Sequence, residues 1–420
     1  MVRALRRAAS FQFFKNLVFY SYNQYLINPN VLEKIVTALA DQRKVSGAPQ
    51  DFYRYPARFS PSFAREVIRT FTEPGEVVLD PFCGGGTAIV EAIALGRRAI
   101  GTDVSSLATF LTRTKTTALS VHDRRQIQDW LDRVRSDSLN ARQLLRTEYR
   151  NSYCRNLPQE AHRFFDWVLD RLPTLPTVKQ RRFVRLILLA VGQRAFDCKL
   201  RQTSRRELKA EFCDRLLVEL DRFSNFTAEA AALNNIPQNR LASRRRIICR
   251  SSEGLHCDGR IPRSWIPAKL VLTSPPYPGV HVVYHRWQIN GRKETPAPFW
   301  LANQRDGAGE SHYLLGPRDQ LGLRTYYERL RSVFSSLALM LDKESTMVQL
   351  VAFSDPSWQL PAYLETLEDV GFKEAHSGHP LKKGRSARRY WRKVPSRKWY
   401  AHNLGSIPPS REVLLLHKLA

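Results

Sequence analysis

The chain has 420 residues, of which 43% are hydrophobic and 10% aromatic, and this composition excludes a chain that is disordered throughout. Lys and Arg total 66 against 39 Asp and Glu, so the formal net charge is +27 at pH 7. Such an excess of positive charge attracts polyanions, so nucleic acid is the first partner to consider, although an anionic membrane surface would be attracted by the same field.

The N-terminal part of the chain carries no clear targeting or membrane signal. Residues 11–27 follow three arginines, as in a signal peptide, but Lys15 and Asn16 interrupt the apolar run. No apolar run reaches the length that a membrane-spanning helix needs, so we expect no membrane partner.

Six cysteines are scattered without zinc-ligand spacing, which favours reduced thiols, a cytoplasmic location and no bound metal.

A β–α–β unit is predicted early in the chain. Residues 76–80 form an apolar strand that runs into a turn with three consecutive glycines, and a helix is expected over residues 88–95. A second strand covers residues 98–102 and ends at Asp103. Glycines allow a ligand to approach the backbone closely, and an acid in this position accepts hydrogen bonds from both hydroxyls of a ribose, so the unit suits a nucleoside cofactor.

The glycine turn differs from two other nucleotide-binding turns. The pattern Phe82-x-Gly84-x-Gly86-Thr87 departs from the G-x-G-x-x-G of dinucleotide sites, and no Walker lysine follows it, which excludes a P-loop. A glycine turn without a ligand is the alternative, and the spaced acid at Asp103 argues against it.

A second motif follows the predicted strand over residues 268–273. This strand ends in Ser274-Pro275-Pro276-Tyr277, and because prolines cannot donate ladder hydrogen bonds, a rigid turn must begin there. A small polar side chain, prolyl carbonyls and an aromatic ring can surround one planar substrate. Acceptors that orient the N–H bonds of an exocyclic amino group favour its attack on a methyl sulfonium, and the ring of Tyr277 can stack on a flipped base. Taken alone, the motif also fits a plain turn with a packed tyrosine.

Together these motifs resemble the amino-methylating DNA methyltransferases, the N4-cytosine and N6-adenine enzymes. The segment that begins at Asp80 resembles motif I of that family, residues 273–277 resemble motif IV, and Tyr-Pro-Ala-Arg-Phe-Ser-Pro-Ser-Phe-Ala at residues 55–64 resembles motif X. The serine form of motif IV is similar to that of the N4-cytosine branch, whereas N6-adenine enzymes more often carry Asp-Pro-Pro-Tyr. The resemblance covers about residues 50–116 and 245–420.

The resemblance implies S-adenosylmethionine (AdoMet) as the cofactor and an α/β fold, a Rossmann-like methyltransferase sheet with an antiparallel C-terminal hairpin. The residues that it implies for cofactor binding are Phe59, Asp80, Phe82, Gly84, Gly86, Thr87, Asp103 and Ser252. Ser252 stands where the family often has an acid that contacts the adenine. In the catalytic set Ser274, Pro275, Pro276 and Tyr277, the Ser274 side chain and the Pro275 carbonyl would hold the target amino group, and Tyr277 would stack on the base.

Cys83 lies inside the glycine turn and not in the Pro-Cys motif of the C5-cytosine methyltransferases, whose cysteine attacks the base. We therefore expect direct methyl transfer, with no covalent enzyme intermediate and no metal.

Between the two motifs, four segments have helical periodicity. They are residues 126–149, Gln159–Arg171, 179–196 and Arg205–Leu233. They predict a helical subdomain inserted at 120–240 into a methyltransferase domain of residues 51–119 and 241–420, after a helical N-terminal extension over 1–50. A role for the insert in clamping or recognising DNA and a role in scaffolding or dimerisation both remain open.

After motif IV, a polar stretch to about residue 324 is predicted to lack regular structure. Within it, Arg286 and Trp287 are candidates for contact with the base or its neighbours, whereas the i, i+4 pair His281 and His285 is not expected to bind a metal. Helices over 326–341 and 360–370 and strands over 346–353 and 411–418 complete the predicted sheet domain.

A basic and aromatic segment lies in the predicted C-terminal hairpin. Residues 382–398 hold nine basic side chains and no acid, and aromatic residues alternate with them. Basic groups supply affinity for phosphates and aromatic rings stack on bases, so this segment is a candidate nucleic-acid contact. The residues singled out are Lys382, Lys383, Arg388, Arg389, Trp391 and Arg392.

The sequence thus predicts AdoMet-dependent methylation of an exocyclic amino group in DNA, with cytosine N4 preferred over adenine N6. Methylation of an RNA base remains an alternative, because some tRNA methyltransferases carry a similar Asp-Pro-Phe-Cys-Gly segment and a Pro-Pro-Tyr turn. A subunit that binds nucleic acid without turnover is the last alternative. The biological setting, whether restriction–modification, defence or an orphan regulator, is left open.

Overall fold

A mixed α/β sheet forms the centre of the protein. The computed structural model describes residues 26–41, 43–55, 58–137, 153–200, 203–278, 286–290, 293–304, 306, 320–376, 389–393 and 411–420. The strands are β1 Val77–Asp80, β2 Arg98–Asp103, β3 Arg245–Cys249, β4 Leu270–Thr273, β5 Trp287–Ile289, β6 Lys293–Thr295, β7 Thr346–Ala352, β8 Phe372–Glu374, β9 Tyr390–Lys393 and β10 Arg411–Leu419. The helices are α1 Pro29–Ala40, α2 Pro61–Phe71, α3 Thr87–Ala94, α4 Ser106–Lys115, α5 Val121–Ser136, α6 Gln159–Arg171, α7 Val178–Phe196, α8 Arg205–Leu233, α9 Ala297–Ala302, α10 Gln320–Ala338 and α11 Pro356–Glu368.

The strand order of the main sheet is β3-β2-β1-β4-β7-β10-β8, with β9 paired to β10. The first five strands are parallel, and β10 runs antiparallel to each of its neighbours. Every residue of β1, β4 and β7 is buried, as expected for parallel strands covered by helices on both faces. The predicted Rossmann-like fold and its antiparallel C-terminal hairpin are confirmed.

The strand order reverses between β1 and β4, and this reversal locates the ligand crevice. From β1 the chain proceeds outward through β2 to β3, and it then returns to β4 on the other side of β1. In open α/β sheets, ligands bind outside the carboxyl ends of the strands at such a switch point. The glycine turn follows β1 and the Ser-Pro-Pro-Tyr turn follows β4, so both motifs lie at this crevice.

Helices α5 to α8 occupy the inserted region and share an aromatic core. Its largest fully buried side chains include Trp130, Trp167, Phe164, Phe165, Phe183, Phe212 and Phe223. The bounds of α6 and α8 are those predicted, and α7 starts one residue earlier than predicted. Helix α5 starts five residues earlier than predicted, because Ser120 and Asp123 form a capping box, and residues 138–149 of that predicted helix lie outside the described residues.

The stretch after motif IV is not structureless at residues 287–289 and 293–302, so that prediction was wrong. Strands β5 and β6 form an antiparallel hairpin and α9 follows it. Trp287, Phe299 and Trp300 belong to the aromatic core of the insert, because burying these large rings stabilises the segment against the helices. Residues that the sequence placed in the sheet domain therefore pack in the helical layer.

None of the helices in the described part of the chain is both long and apolar enough to span a membrane.

Candidate active site

The two motifs meet at the carboxyl ends of β1 and β4. The Thr273 hydroxyl donates a 2.7 Å hydrogen bond to Oδ1 of Asp80, and the backbone N–H of Phe82 donates to the same oxygen at 3.2 Å. Asp80 is only 2% exposed, and burial raises the pKa of its carboxyl to about 7 although both hydrogen bonds oppose the shift. This carboxyl therefore joins the glycine turn to the strand that carries Ser274.

The glycine turn is built around the carboxylate of Asp103. The N–H groups of Gly84 and Ser105 each donate to one of its oxygens at 2.9 Å. Burial raises the pKa of Asp103 to about 6, and the nearby Asp306 adds to the shift. The backbone is left-handed at Gly86, with φ of 81°, and a Cβ there would lie 2.5 Å from the Thr112 hydroxyl, so the turn requires glycine at this position.

Two further side chains hold the turn from outside. A Cβ at Gly85 would lie 2.6 Å from the Cβ of Tyr55, so motif X packs directly on the glycines. The ammonium of Lys115 donates to the carbonyl of Gly85 at 3.0 Å, and burial lowers the pKa of Lys115 to about 7. Phe59, the predicted cofactor contact of motif X, is buried against Phe63 with ring centroids 5.7 Å apart.

The Ser-Pro-Pro-Tyr turn is fixed at each end by hydrogen bonds. The hydroxyl of Ser274 donates to the carbonyl of Leu350 at 3.0 Å and lies 2.9 Å from the hydroxyl of Tyr277. Tyr326 of α10 donates to the carbonyl of Pro276 at 2.8 Å. Tyr277 is 7% exposed, and its hydroxyl donates to Glu412 at 3.3 Å. The turn is therefore a rigid platform whose tyrosine is held through its hydroxyl.

The remaining predicted cofactor residues occupy different positions around the glycine turn. Phe82 is half-buried, and Thr87 is buried at the start of α3, where its carbonyl accepts a bond from Gln50. The hydroxyl of Ser252 is bonded to the carbonyl of Pro81 and to the hydroxyl of Thr102. Ser252 thus ties the end of β3 to the glycine turn in this structure.

Cys83 is 4% exposed and its thiol lies 3.9 Å from the hydroxyl of Thr112. Burial raises the pKa of this thiol well above its ordinary value. Because a thiolate is the nucleophilic form, this environment argues against a covalent role for Cys83.

Two candidate nucleic-acid contacts after motif IV are directed into the protein. Trp287 is 1% exposed, and its indole N–H donates to the hydroxyl of Tyr53 at 3.2 Å. The side chain of Arg286 is 10% exposed and pairs with Glu294 at 3.4 Å. As placed here, neither side chain lies on a surface that nucleic acid can reach; His281 and His285 lie outside the described residues.

The basic segment is described only at residues 389–393, so Lys382, Lys383 and Arg388 lie outside the described residues. Arg389 makes two hydrogen bonds to the carboxylate of Glu374, at 2.5 and 2.6 Å. Arg392 is 8% exposed and pairs with Glu412, because β9 and β10 place them opposite each other. Trp391 is half-buried beneath the guanidinium of Arg411, 5.7 Å from its ring centroid. Arg392 is therefore a buried ion-pair partner in this structure.

Sequence reasoning missed four residues that shape the site. They are Thr273, Lys115, Tyr326 and Glu412. Only Glu412 carried a usable signal, since it is the one acid in the apolar strand β10, and a carboxylate buried in a strand requires a partner.

Sequence comparison finds similarity to known proteins over part of the chain. The family model for N6 and N4 methyltransferases, described as DNA methylase, matches residues 24–108. This segment contains motif X, the glycine turn and Asp103. Over these residues the chain is similar to the amino-methylating DNA methyltransferases. One relative, the Type II methyltransferase M.MvaI of Kocuria varians, is 34% identical over 71 residues, which are 16% of this chain and 16% of that protein. The chain thus matches about a sixth of the length of this relative.

Solved structures add no further argument, because their TM-scores are low. TrmN from Thermus thermophilus aligns with a TM-score of 0.29 and 13% identity, over 86% of this chain and 49% of that one. The rRNA methyltransferase aviRa from Streptomyces viridochromogenes aligns with a TM-score of 0.31 and 12% identity, over 90% of this chain and 92% of that one.

The family match supports AdoMet as the cofactor, and the local chemistry fits it. The carboxylate of Asp103 is held at the end of β2 by two backbone donors, which leaves lone pairs on both oxygens for ribose hydroxyls. Gly84 and Gly86 have positive φ, and a Cβ at either position would collide with Tyr55 or Thr112, so both glycines are needed for the turn that presents the Gly84 N–H to Asp103. Among the described residues, no group of three or more His, Cys, Asp or Glu side chains has the arrangement of a metal site.

Proposed function

We propose that the protein transfers a methyl group from AdoMet to an exocyclic amino group of a DNA base, with cytosine N4 as the target. The observation that carries the proposal is the hydrogen bond between Thr273 and Asp80, which joins the glycine turn to the Ser274–Tyr277 turn. A cofactor held at Asp103 and a base held at Ser274 would then meet at the same crevice of the sheet. The serine in motif IV favours cytosine.

Each residue has a distinct part in the proposed reaction. The Asp103 carboxylate accepts hydrogen bonds from the ribose, and the bound cofactor supplies an electrophilic methyl group. Ser274 Oγ and the Pro275 carbonyl accept hydrogen bonds from the target amino group and direct its lone pair towards that methyl group. The ring of Tyr277 stacks on the base once the base has left the duplex.

Direct transfer requires no enzyme nucleophile. The thiol of Cys83, whose pKa is raised by burial, is consistent with such a reaction. The amino group itself would bond to the methyl carbon as the bond from that carbon to sulfur breaks, S-adenosylhomocysteine would leave, and one proton of the methylated amino group would pass to solvent. The formal net charge of +27 supports an extended anionic substrate. Lys382, Lys383 and Arg388 remain predicted phosphate contacts.

The test incubates the purified protein with labelled AdoMet and either duplex DNA or tRNA, followed by mass spectrometry of the nucleosides. We expect label in DNA, as N4-methylcytosine. If the label is found as N6-methyladenine, the reaction is still the methylation of an exocyclic amino group, but its target base is adenine and not cytosine. Label confined to RNA, or found as 5-methylcytosine, would overturn the proposal.

Site variants test the assignment of the base platform. Ser274→Ala and Tyr277→Ala should abolish most turnover while AdoMet binding persists, because neither side chain belongs to the glycine turn. Ser243→Ala, at an exposed serine far along the chain from both motifs, is the matched control and should retain wild-type turnover.

A further inference from the structure

A buried ion pair lies directly behind the tyrosine of motif IV. Glu412, at the start of β10, is 4% exposed and accepts hydrogen bonds from the Tyr277 hydroxyl at 3.3 Å and from Nε of Arg392 at 2.5 Å. A second nitrogen of Arg392 donates to the carbonyl of Leu39 near the end of α1. A chain of hydrogen bonds therefore links the end of α1, β9 and β10 to the phenol oxygen of motif IV.

Stability alone is a weak explanation for this pair. Two charges lose their hydration when they are buried, and apolar side chains of similar size are often at least as stabilising. Burial raises the pKa of Glu412, while Arg392 and then the Tyr277 hydroxyl favour the ionised form. What the pair offers that apolar packing does not is a fixed, directional acceptor for the tyrosine hydroxyl.

The hydroxyl of Tyr277 has Ser274 as a polar neighbour in addition to Glu412. The phenol oxygen lies 2.9 Å from Ser274 Oγ, and it accepts a hydrogen bond from Ser274 when the single proton of that hydroxyl is not given to the carbonyl of Leu350. With Glu412 as a second anchor, the phenol oxygen is held from two directions. This fixes the outer end of the ring, and because a phenolic O–H lies close to the plane of its ring, the direction of the bond to Glu412 also favours one ring plane on which a base can stack.

We propose that Glu412 and Arg392 are positioning residues for base methylation, acting through the hydroxyl of Tyr277. Arg392 orients the carboxylate of Glu412, Glu412 fixes the ring of Tyr277, and the ring sets the target base relative to Ser274. Helix α1 takes part through Leu39, which gives the N-terminal segment a role in the site. This inference rests on the proposed function.

A double-mutant cycle tests the coupling. Tyr277→Phe keeps the ring and removes the hydroxyl, and Glu412→Gln keeps the shape of the acid and removes its charge. Each should lower the single-turnover methylation rate about tenfold, the change that corresponds to one hydrogen bond, while AdoMet affinity stays unchanged. The double variant should be no slower than Tyr277→Phe, because Glu412 acts only through the removed hydroxyl.

A matched ion pair on the neighbouring strands supplies the control. Glu374→Gln removes the acid of β8 that pairs with Arg389, the residue just before β9, and should leave the rate unchanged. Rescue is tested by comparing Arg392→Lys with Arg392→Met, since lysine keeps the charge opposite Glu412 and should retain more of the rate.

Several outcomes would overturn the inference. The first is a methylation rate in the double variant that falls by the product of the two single effects. The second is a loss of AdoMet affinity that accompanies the loss of rate. The third is a loss of rate in Glu374→Gln equal to that in Glu412→Gln. Urea unfolding shows whether Glu412→Gln is folded. If it is not, the test rests on Tyr277→Phe alone, and a wild-type methylation rate in that variant contradicts the proposal. A wild-type protein that methylates no nucleic acid would instead defeat the proposed function and, with it, the assignment of this pair to a base site.

Discussion

The hydroxyl of Thr273 donates a 2.7 Å hydrogen bond to the carboxylate of Asp80, across 193 positions of sequence. Thr273 is the last residue of β4 and Asp80 is the last residue of β1, and the two strands pair in parallel. The bond therefore joins the final residues of adjacent strands just before the glycine turn and the Ser-Pro-Pro-Tyr turn begin. It also partly satisfies a carboxyl that burial would otherwise leave poorly solvated.

Thr273→Val should destabilise the protein by about 1–2 kcal/mol, because a buried carboxyl loses one of its donors. The measurement is the free energy of unfolding in urea. Thr114→Val is the control, since the hydroxyl of Thr114 bonds only to the carbonyl of Phe110 in its own helix. An equal loss of stability in the two variants would contradict a special role for the Thr273 bond.

Asp80 should make the protein less stable as the pH rises from about 4 to about 7. Its pKa in the folded state, about 7, lies above the ordinary value of 3.8, so in this range the folded protein holds a proton that the unfolded chain releases. The unfolding free energy measured by urea denaturation at several pH values should fall less steeply in Asp80→Asn. Asp129→Asn, on the exposed face of α5, should keep the wild-type slope.

AdoMet should bind more weakly below about pH 6, where Asp103 becomes protonated. The ionised carboxylate can accept both ribose hydroxyls, whereas the protonated form has lost part of this capacity. Calorimetric titration of AdoMet between pH 5 and pH 8 checks this expectation. Asp103→Asn should bind weakly at every pH, with little pH dependence; a wild-type affinity for that variant would remove Asp103 from the cofactor site.

Local sequence signals predicted much of the fold. Helix α8 has the predicted bounds because its start is set by the Ser204–Glu207 capping box, which lies within four residues. Helix α11 runs over Pro356–Glu368 rather than 360–370, because the side chain of Asp355 caps it and Pro356 opens it. This start signal was present in the sequence and was overlooked.

Contacts between distant segments could not be predicted in the same way. Arg392 stands in a basic, aromatic segment, which is typical of nucleic-acid contacts, and yet strand pairing places it opposite the single acid of β10. Trp287 follows motif IV closely in sequence, but its ring packs against Phe165 of α6, at 6.3 Å between centroids. The composition of a segment indicates which ligands its side chains could bind. The direction in which those side chains point depends on strand register and helix packing, which involve residues far away in the sequence.

The packing of Trp287 on Gly192 provides a test of how the insert carries the segment after motif IV. A Cβ at Gly192 would lie 2.3 Å from the indole ring of Trp287, and helix α7 has no space for it. Gly192→Ala should therefore displace the β5–β6 hairpin and destabilise the protein by about 1–3 kcal/mol, even though alanine favours helices. Urea unfolding and the fluorescence of the tryptophans measure the two effects. In Gly259→Ala, a Cβ meets no atom within 4 Å, so this control should change neither. A stabilised Gly192→Ala would show that the hairpin is not seated on α7 as described, since only a displaced Trp287 leaves room for the added methyl group.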